Sequence, residues 1–129
     1  MKLSHVSIAV DDLEKFTKLY SELFGIKFSS PQLLENQKVN LCFGETEGAR
    51  LEVTSPSAPD SPVSKYLDKK GPGLHHLCLE VENLEETLKY LSNKKIELIG
   101  NPSIGSSGKK IVFLHPRSTG GILIELKQK

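Results

Sequence analysis

The chain has 129 residues, 37% hydrophobic and 26% charged, with a formal net charge of +1. One compact domain of ordinary globular composition is expected. The near-neutral balance argues against a general nucleic-acid or membrane-surface binder, no apolar run reaches the length of a membrane span, and two cysteines do not make a disulfide framework.

Leu3 to Val10 alternates and predicts a strand. Leu13, Phe16, Tyr20, Leu23 and Phe24 then fall near one helical stripe. Asp11 or Asp12 is placed to cap the start of that helix and Gly25 to end it. Ile26 to Phe28 predicts a short strand and Val39 to Phe43 a longer one. A turn through Gly44 to Gly48 leads to a strand over Arg50 to Thr54. The Pro- and Ser-rich stretch from Ser55 to Pro72 contains a short helix, with Ser61 as cap and Pro62 in the first turn. After it the order repeats. Leu74 to Val81 is a strand, Leu84 to Leu91 a helix capped by Asn83, and Ile96 to Ile99, Ile111 to Leu114 and Ile122 to Leu126 are strands. Since Met1 to His5 enters a strand pattern at once, no signal or transit peptide is expected. Cys42 and Cys78 read as free thiols, and the cytoplasm is the default location.

The two halves share more than element order. His5-Val6-Ser7-Ile8-Ala9-Val10-Asp11-Asp12-Leu13-Glu14 is echoed by His76-Leu77-Cys78-Leu79-Glu80-Val81-Glu82-Asn83-Leu84-Glu85. Arg50-Leu51-Glu52-Val53 is echoed by Leu123-Ile124-Glu125-Leu126, so a Glu follows its His by 47 positions in one half and 49 in the other. The fold class expected is α+β: two βαβββ modules, residues 1–55 and 73–129, joined by a connector, 56–72, within a single domain 1–129. A half alone is too small to bury both faces of its sheet. Pairing the halves gives a curved mixed sheet of roughly eight strands, helices outside and a metal-containing cleft inside, in preference to a ferredoxin-like domain.

Strand alternation selects the candidate ligands. Val6, Ile8 and Val10 share one face of the first strand, and His5, Ser7 and Ala9 share the other. In the repeat, Leu77, Leu79 and Val81 oppose His76, Cys78 and Glu80. His76 therefore matches His5, and His75 is left a packing or hydrogen-bonding role. Glu52 and Glu125 each sit between apolar neighbours that point away. A carboxylate buried there needs a partner, and a divalent metal is one such partner. Two neutral imidazoles and two carboxylates leave a divalent site formally neutral. They suit Co, Mn, Ni, Fe or Zn without selecting among them. His115 has no counterpart in the repeat and is not assigned to the metal.

These residues resemble the vicinal oxygen chelate superfamily and, within it, the methylmalonyl-CoA epimerase family. The likeness spans nearly the whole chain. It is carried by His5 to Val10, Asp60-Ser61-Pro62-Val63, Gly73 to Cys78, and Phe113-Leu114-His115-Pro116 through Gly120-Gly121-Ile122-Leu123-Ile124-Glu125-Leu126. The resemblance implies a divalent metal held by His5, Glu52, His76 and Glu125. It implies interconversion of the 2R and 2S forms of methylmalonyl-CoA through a metal-stabilised enolate, and a homodimer. Glu125 and Glu52 are the expected acid and base, Glu125 foremost. Some members have Gln where Glu52 stands. Some carry a further, non-ligand Glu in the third strand, where this chain aligns with Asn40, so the identity of one base stays open.

Gly105-Ser106-Ser107-Gly108-Lys109-Lys110 reads as a basic loop but not a P-loop, because Ser103 stands at the first glycine position and no helix follows. Lys109, Lys110 and Arg117 are candidates for CoA phosphates, with plain solvation the blander reading. Ser118 to Gly121 offers backbone donors or simply a turn. Two other functions fit the same scaffold: a glyoxalase I-like lyase acting on a glutathione hemithioacetal, and a non-enzymatic small-molecule binder.

Overall fold

The computed structural model describes all residues from Met1 to Lys129. The elements run β1 (Lys2–Ala9), α1 (Leu13–Phe24), β2 (Gln32–Leu34), β3 (Val39–Gly44), β4 (Arg50–Pro56), α2 (Pro62–Lys70), β5 (Gly73–Val81), α3 (Leu84–Asn93), β6 (Leu98–Ile104), β7 (Lys110–Leu114) and β8 (Ile124–Gln128). Each half is thus βαβββ, with α2 in the connector, as the repeat predicts. The strands form one eight-stranded sheet in the order β2-β3-β4-β1-β5-β8-β7-β6. The β5–β8 pair is parallel while β2–β3, β3–β4, β6–β7 and β7–β8 are antiparallel, so the sheet is mixed. No helix is long and apolar enough to cross a membrane.

Two compact units divide the chain: Val6–His75, and Met1–His5 with His76–Lys129. In the Val6–His75 unit, Asp12 accepts a hydrogen bond from the Lys15 amide and starts α1. Gly25 ends it in the left-handed conformation that glycine adopts without a Cβ clash. Strand alternation then sorts the core. Ile8, Val10, Cys42 and Val53 are buried together with Leu13 and Phe16 of α1 against them. Ala9, Val39, Leu41 and Phe43 form a second cluster with Val63 and Leu67 of α2. Each such buried aliphatic side chain contributes about 1.5–3 kcal/mol of transfer free energy.

One strand in this unit is not where the sequence pattern puts it. Ile26 to Phe28 forms only an isolated bridge, Phe28 to Gly44. The Phe28 ring lies where a Cβ on Gly44 would be, 2.7 Å away, so the approach depends on glycine. Regular pairing resumes only after Pro31, which has no amide hydrogen to give a ladder, and the strand is Gln32–Leu34.

In the other unit, Asn83 caps α3 through the Glu86 amide. Val81, Leu84, Val112, Leu114 and Leu126 are buried together, with Leu79, Leu88, Leu91, Ile96 and Ile124 packed on them. Two strands are shifted from their expected bounds. Ile96 packs into this core instead of starting a strand, so β6 begins at Leu98 and continues to Ile104. The last strand begins at Ile124 and not Ile122. The Gly121 amide bonds to the Pro116 carbonyl and the Thr119 hydroxyl to the Ile122 carbonyl, which keeps this stretch in a turn.

Candidate metal centre

Three of the four expected ligands meet in one unit. His5 comes from β1, His76 from β5 and Glu125 from β8, and each is 4–6% exposed. His76 Nε2 lies 2.9 Å from Glu125 Oε2, His5 Nε2 lies 3.6 Å from the same oxygen, and the two Nε2 atoms are 3.4 Å apart. Phe113, the cross-strand partner of Glu125, sets its ring edge-to-face on His76 with centroids 5.3 Å apart. The parallel register places Cys78 opposite Glu125.

The spacing fits a cation. Donor atoms about 2.1 Å from one ion stand about 3.0 Å apart at right angles and about 3.4 Å apart at the tetrahedral angle. The observed 2.9, 3.4 and 3.6 Å fall close to that range. Two imidazole nitrogens facing each other as well as one carboxylate oxygen make a donor set suited to Zn, Co, Ni, Mn or Fe. This is a buried His–Glu–His group able to hold a divalent metal.

The electrostatics agree. Burial pushes the Glu125 carboxyl up, but hydrogen bonds from His5 and His76, with their charges, outweigh it and hold the group at about 2 instead of 4.5. Glu125 is therefore ionised at neutral pH, as a ligand must be.

Glu52, the fourth expected ligand, belongs to the Val6–His75 unit, where it is 6% exposed on β4. Its Oε1 accepts a hydrogen bond of 3.0 Å from the Ser7 hydroxyl. Ser7 follows His5 by two positions on β1, so alternation puts both on the same face of that strand. Asn40 is not on the corresponding face of β3. Phe43 pairs with Glu52 and Leu41 with Thr54, whereas Asn40 pairs with Ser55 and shares parity with Cys42. The β3 positions on the Glu52 face are Val39, Leu41 and Phe43, none of which has acid–base chemistry.

The remaining candidates are engaged elsewhere. His75 sets its ring edge-on to Tyr66, centroids 4.7 Å apart, in a packing role. His115 Nδ1 accepts from the Arg117 amide at 3.1 Å and caps the turn Pro116–Ser118. Arg117 is paired with Glu97 at 2.9 Å, and Lys110 reaches Glu85 at 3.7 Å. Gly105 to Lys110 is the turn joining β6 to β7, closed by the Gly105 amide on the Lys109 carbonyl and the Gly108 amide on the Gly105 carbonyl. Sequence reasoning placed Ser7 and Cys78 on the faces of His5 and His76 but assigned them no role. It missed Phe113, whose pairing with Glu125 depends on strand register.

The comparisons with known proteins decide the family. The model of the glyoxalase/bleomycin resistance protein/dioxygenase superfamily matches residues 4–113. The chain belongs to this superfamily. Among its relatives, mitochondrial methylmalonyl-CoA epimerase of Mus musculus is 37% identical over 129 residues, covering 98% of this chain and 72% of that protein. Ethylmalonyl-CoA/methylmalonyl-CoA epimerase of Cereibacter sphaeroides is 34% identical over 98% of this chain and 97% of its own. A solved structure of methylmalonyl-CoA epimerase in complex with methylmalonyl-CoA and NH4+ superimposes with a TM-score of 0.91, at 27% identity, over 99% of this chain and 94% of that one. The fold of this superfamily member is thus matched over nearly its whole length by a solved epimerase.

Proposed function

We propose that this chain is a methylmalonyl-CoA epimerase working as a single domain, 1–129, on a divalent metal held by His5, Glu52, His76 and Glu125. The observation that carries this reading is the convergence of His5, His76 and Glu125 at 2.9–3.6 Å in a chain 37% identical to an epimerase over nearly its whole length. Glu52 is included because it is buried, lies on the matching strand of the repeat and is held by Ser7, a neighbour of His5 on β1.

The C2 hydrogen of the substrate lies between a thioester and a carboxylate, and its loss sends negative charge to the thioester oxygen. A divalent cation held by these residues would stabilise that charge electrostatically. The protein's own side chains must do the rest. Inversion needs a proton taken from one face of C2 and returned to the other, and two opposed acid/base groups are the simplest arrangement. Glu125 and Glu52 are the pair assigned to this. While His5 and His76 hold Glu125 at about 2 it is a weak base. Its service as one requires that its contact with His76 be released. Burial of all four groups keeps bulk water from competing for the proton. A homodimer belongs to the same reading on the strength of the family resemblance, and a cytoplasmic location is the default that goes with the two free thiols, Cys42 and Cys78.

The test is deuterium uptake at C2 of methylmalonyl-CoA by the cobalt-loaded protein, with and without a chelator. Exchange in both epimers, abolished by chelation and strongly reduced in Glu125→Gln and Glu52→Gln, is the expected result. Absence of exchange, with consumption of methylglyoxal plus glutathione instead, would assign the chain to lyase chemistry. Unchanged exchange in both variants would remove the two acids from the mechanism.

A further inference from the structure

Cys78 occupies a position that the epimerase reaction does not use. It is fully buried on β5, two residues beyond His76 on the same face, and stands opposite Glu125 across the parallel β5–β8 pair. His5, Cys78 and Glu125 each present a ligand atom, and all three atoms lie within 4.8 Å of one another. Donors around one ion with a metal–sulfur bond of about 2.3 Å and a metal–nitrogen bond of about 2.1 Å are about 3.6 Å apart at the tetrahedral angle, so this group needs to contract by little more than about 1 Å. The nitrogen and oxygen donors of His5 and Glu125 are shared with the His5–His76–Glu125 group. Sulfur is the one donor type in the neighbourhood that distinguishes soft from hard cations.

We propose that Cys78 adds a second ligand set to the centre, His5–Cys78–Glu125, which captures thiophilic divalent cations such as Cd2+. This rests on the metal-binding reading of the site. On capture the Cys78 S–H bond breaks, a sulfur–metal bond forms and the proton leaves to solvent, with no change of oxidation state. Because His5 and Glu125 serve both sets, an ion bound through sulfur excludes one bound through His76. Thiophilic cations therefore compete with Mn2+ for the centre, and the sulfur-bound form is catalytically silent.

The full-length metal-free protein is titrated with Cd2+ and, separately, with Mn2+. Sulfur ligation is read by the near-ultraviolet sulfur-to-cadmium charge-transfer absorption, and Mn2+ binding by electron paramagnetic resonance. Wild type and Cys42→Ser are expected to show the band. Cys78→Ser and Cys78→Ala, checked for folding by circular dichroism, should lose it. Their Cd2+ affinity should fall at least about tenfold while their Mn2+ affinity changes little. Retention of the band or of full Cd2+ affinity in both Cys78 variants overturns the proposal. Mn2+ bound by wild type without any sulfur band on Cd2+ addition overturns it while leaving the metal centre standing. Failure of wild type to bind either ion overturns both.

Discussion

His76 Nε2 and Glu125 Oε2 stand 2.9 Å apart, one from β5 and one from β8. The strands are a parallel pair, and Phe113 on β7 buttresses the imidazole while pairing across the sheet with the acid. The contact therefore has backbone ladders on two sides of Glu125, and a cation arriving there meets donors already placed. Preplacement of this kind lowers the ordering cost of coordination.

Removing one of these donors should be costly for metal binding. His76→Ala is expected to weaken Co2+ binding at least about 100-fold, because even partners that only orient ligands are worth 10–100-fold. Isothermal titration calorimetry on chelator-stripped protein measures it. An affinity within a few-fold of wild type would show that His76 is not a ligand.

The metal-free protein should be sensitive to strong acid through Glu125. Its carboxyl is held at about 2 by His5 and His76, against 4.5 unperturbed. A depressed folded-state value means that the unfolded chain takes up the proton first. The stabilisation is complete above about pH 4.5 and is lost as pH falls through about 2. The shift corresponds to roughly 3 kcal/mol. Urea unfolding in chelator at pH 5 and at pH 2.5 should show part of that loss in wild type and a smaller loss in Glu125→Gln. Equal pH dependence in the two proteins would place the acid sensitivity elsewhere.

Ser7 holds Glu52 from its own strand face by a buried hydrogen bond of 3.0 Å. Ser7→Ala should destabilise the metal-free protein by about 1.5–3 kcal/mol, the usual cost of taking a hydrogen bond from a buried charged group. Loaded with metal, the variant should recover part of this if Glu52 is then coordinated. The comparison of melting with and without Co2+ reads both effects, and an unchanged apo stability would show the bond to be worth nothing.

Cys42 should be inert in the native state. Burial, aided by the negative charge of Glu52, pushes its thiol up to about 11. The thiolate is the reactive form, so iodoacetamide at pH 8 should leave Cys42 unlabelled until the protein is unfolded. Peptide mass mapping decides it, and rapid native labelling would contradict the burial.

The helices were legible in the sequence because their signals are local. Asp12, Asn83 and Ser61 cap them, Gly25 closes the first, and the apolar spacing runs between. The short peripheral strands were less so. Ile26 to Phe28 has strand composition but packs as a single bridge, and the true β2 contains Gln32 and lies beyond Pro31. Ile96 packs on a core and Ile122 lies in a turn, and neither belongs to a strand. Composition does not separate those cases, since an isoleucine in a turn or packed on a core has the same apolar character as one in a ladder.

The sequence by itself determined the duplication, the α+β class and, through period-two alternation, which histidine of the His75–His76 pair shares a face with Cys78. A repeat and a parity are properties of neighbours along the chain. What only the tertiary structure decided is which side chains meet. His5 and His76 are 71 residues apart yet 3.4 Å distant at their nitrogens. Cys78 joins Glu125 by parallel register, and Asn40 turns away from the face of Glu52 because its antiparallel partner is Ser55. Register sets these meetings, and a one-residue slip would send each side chain to the opposite face of the sheet.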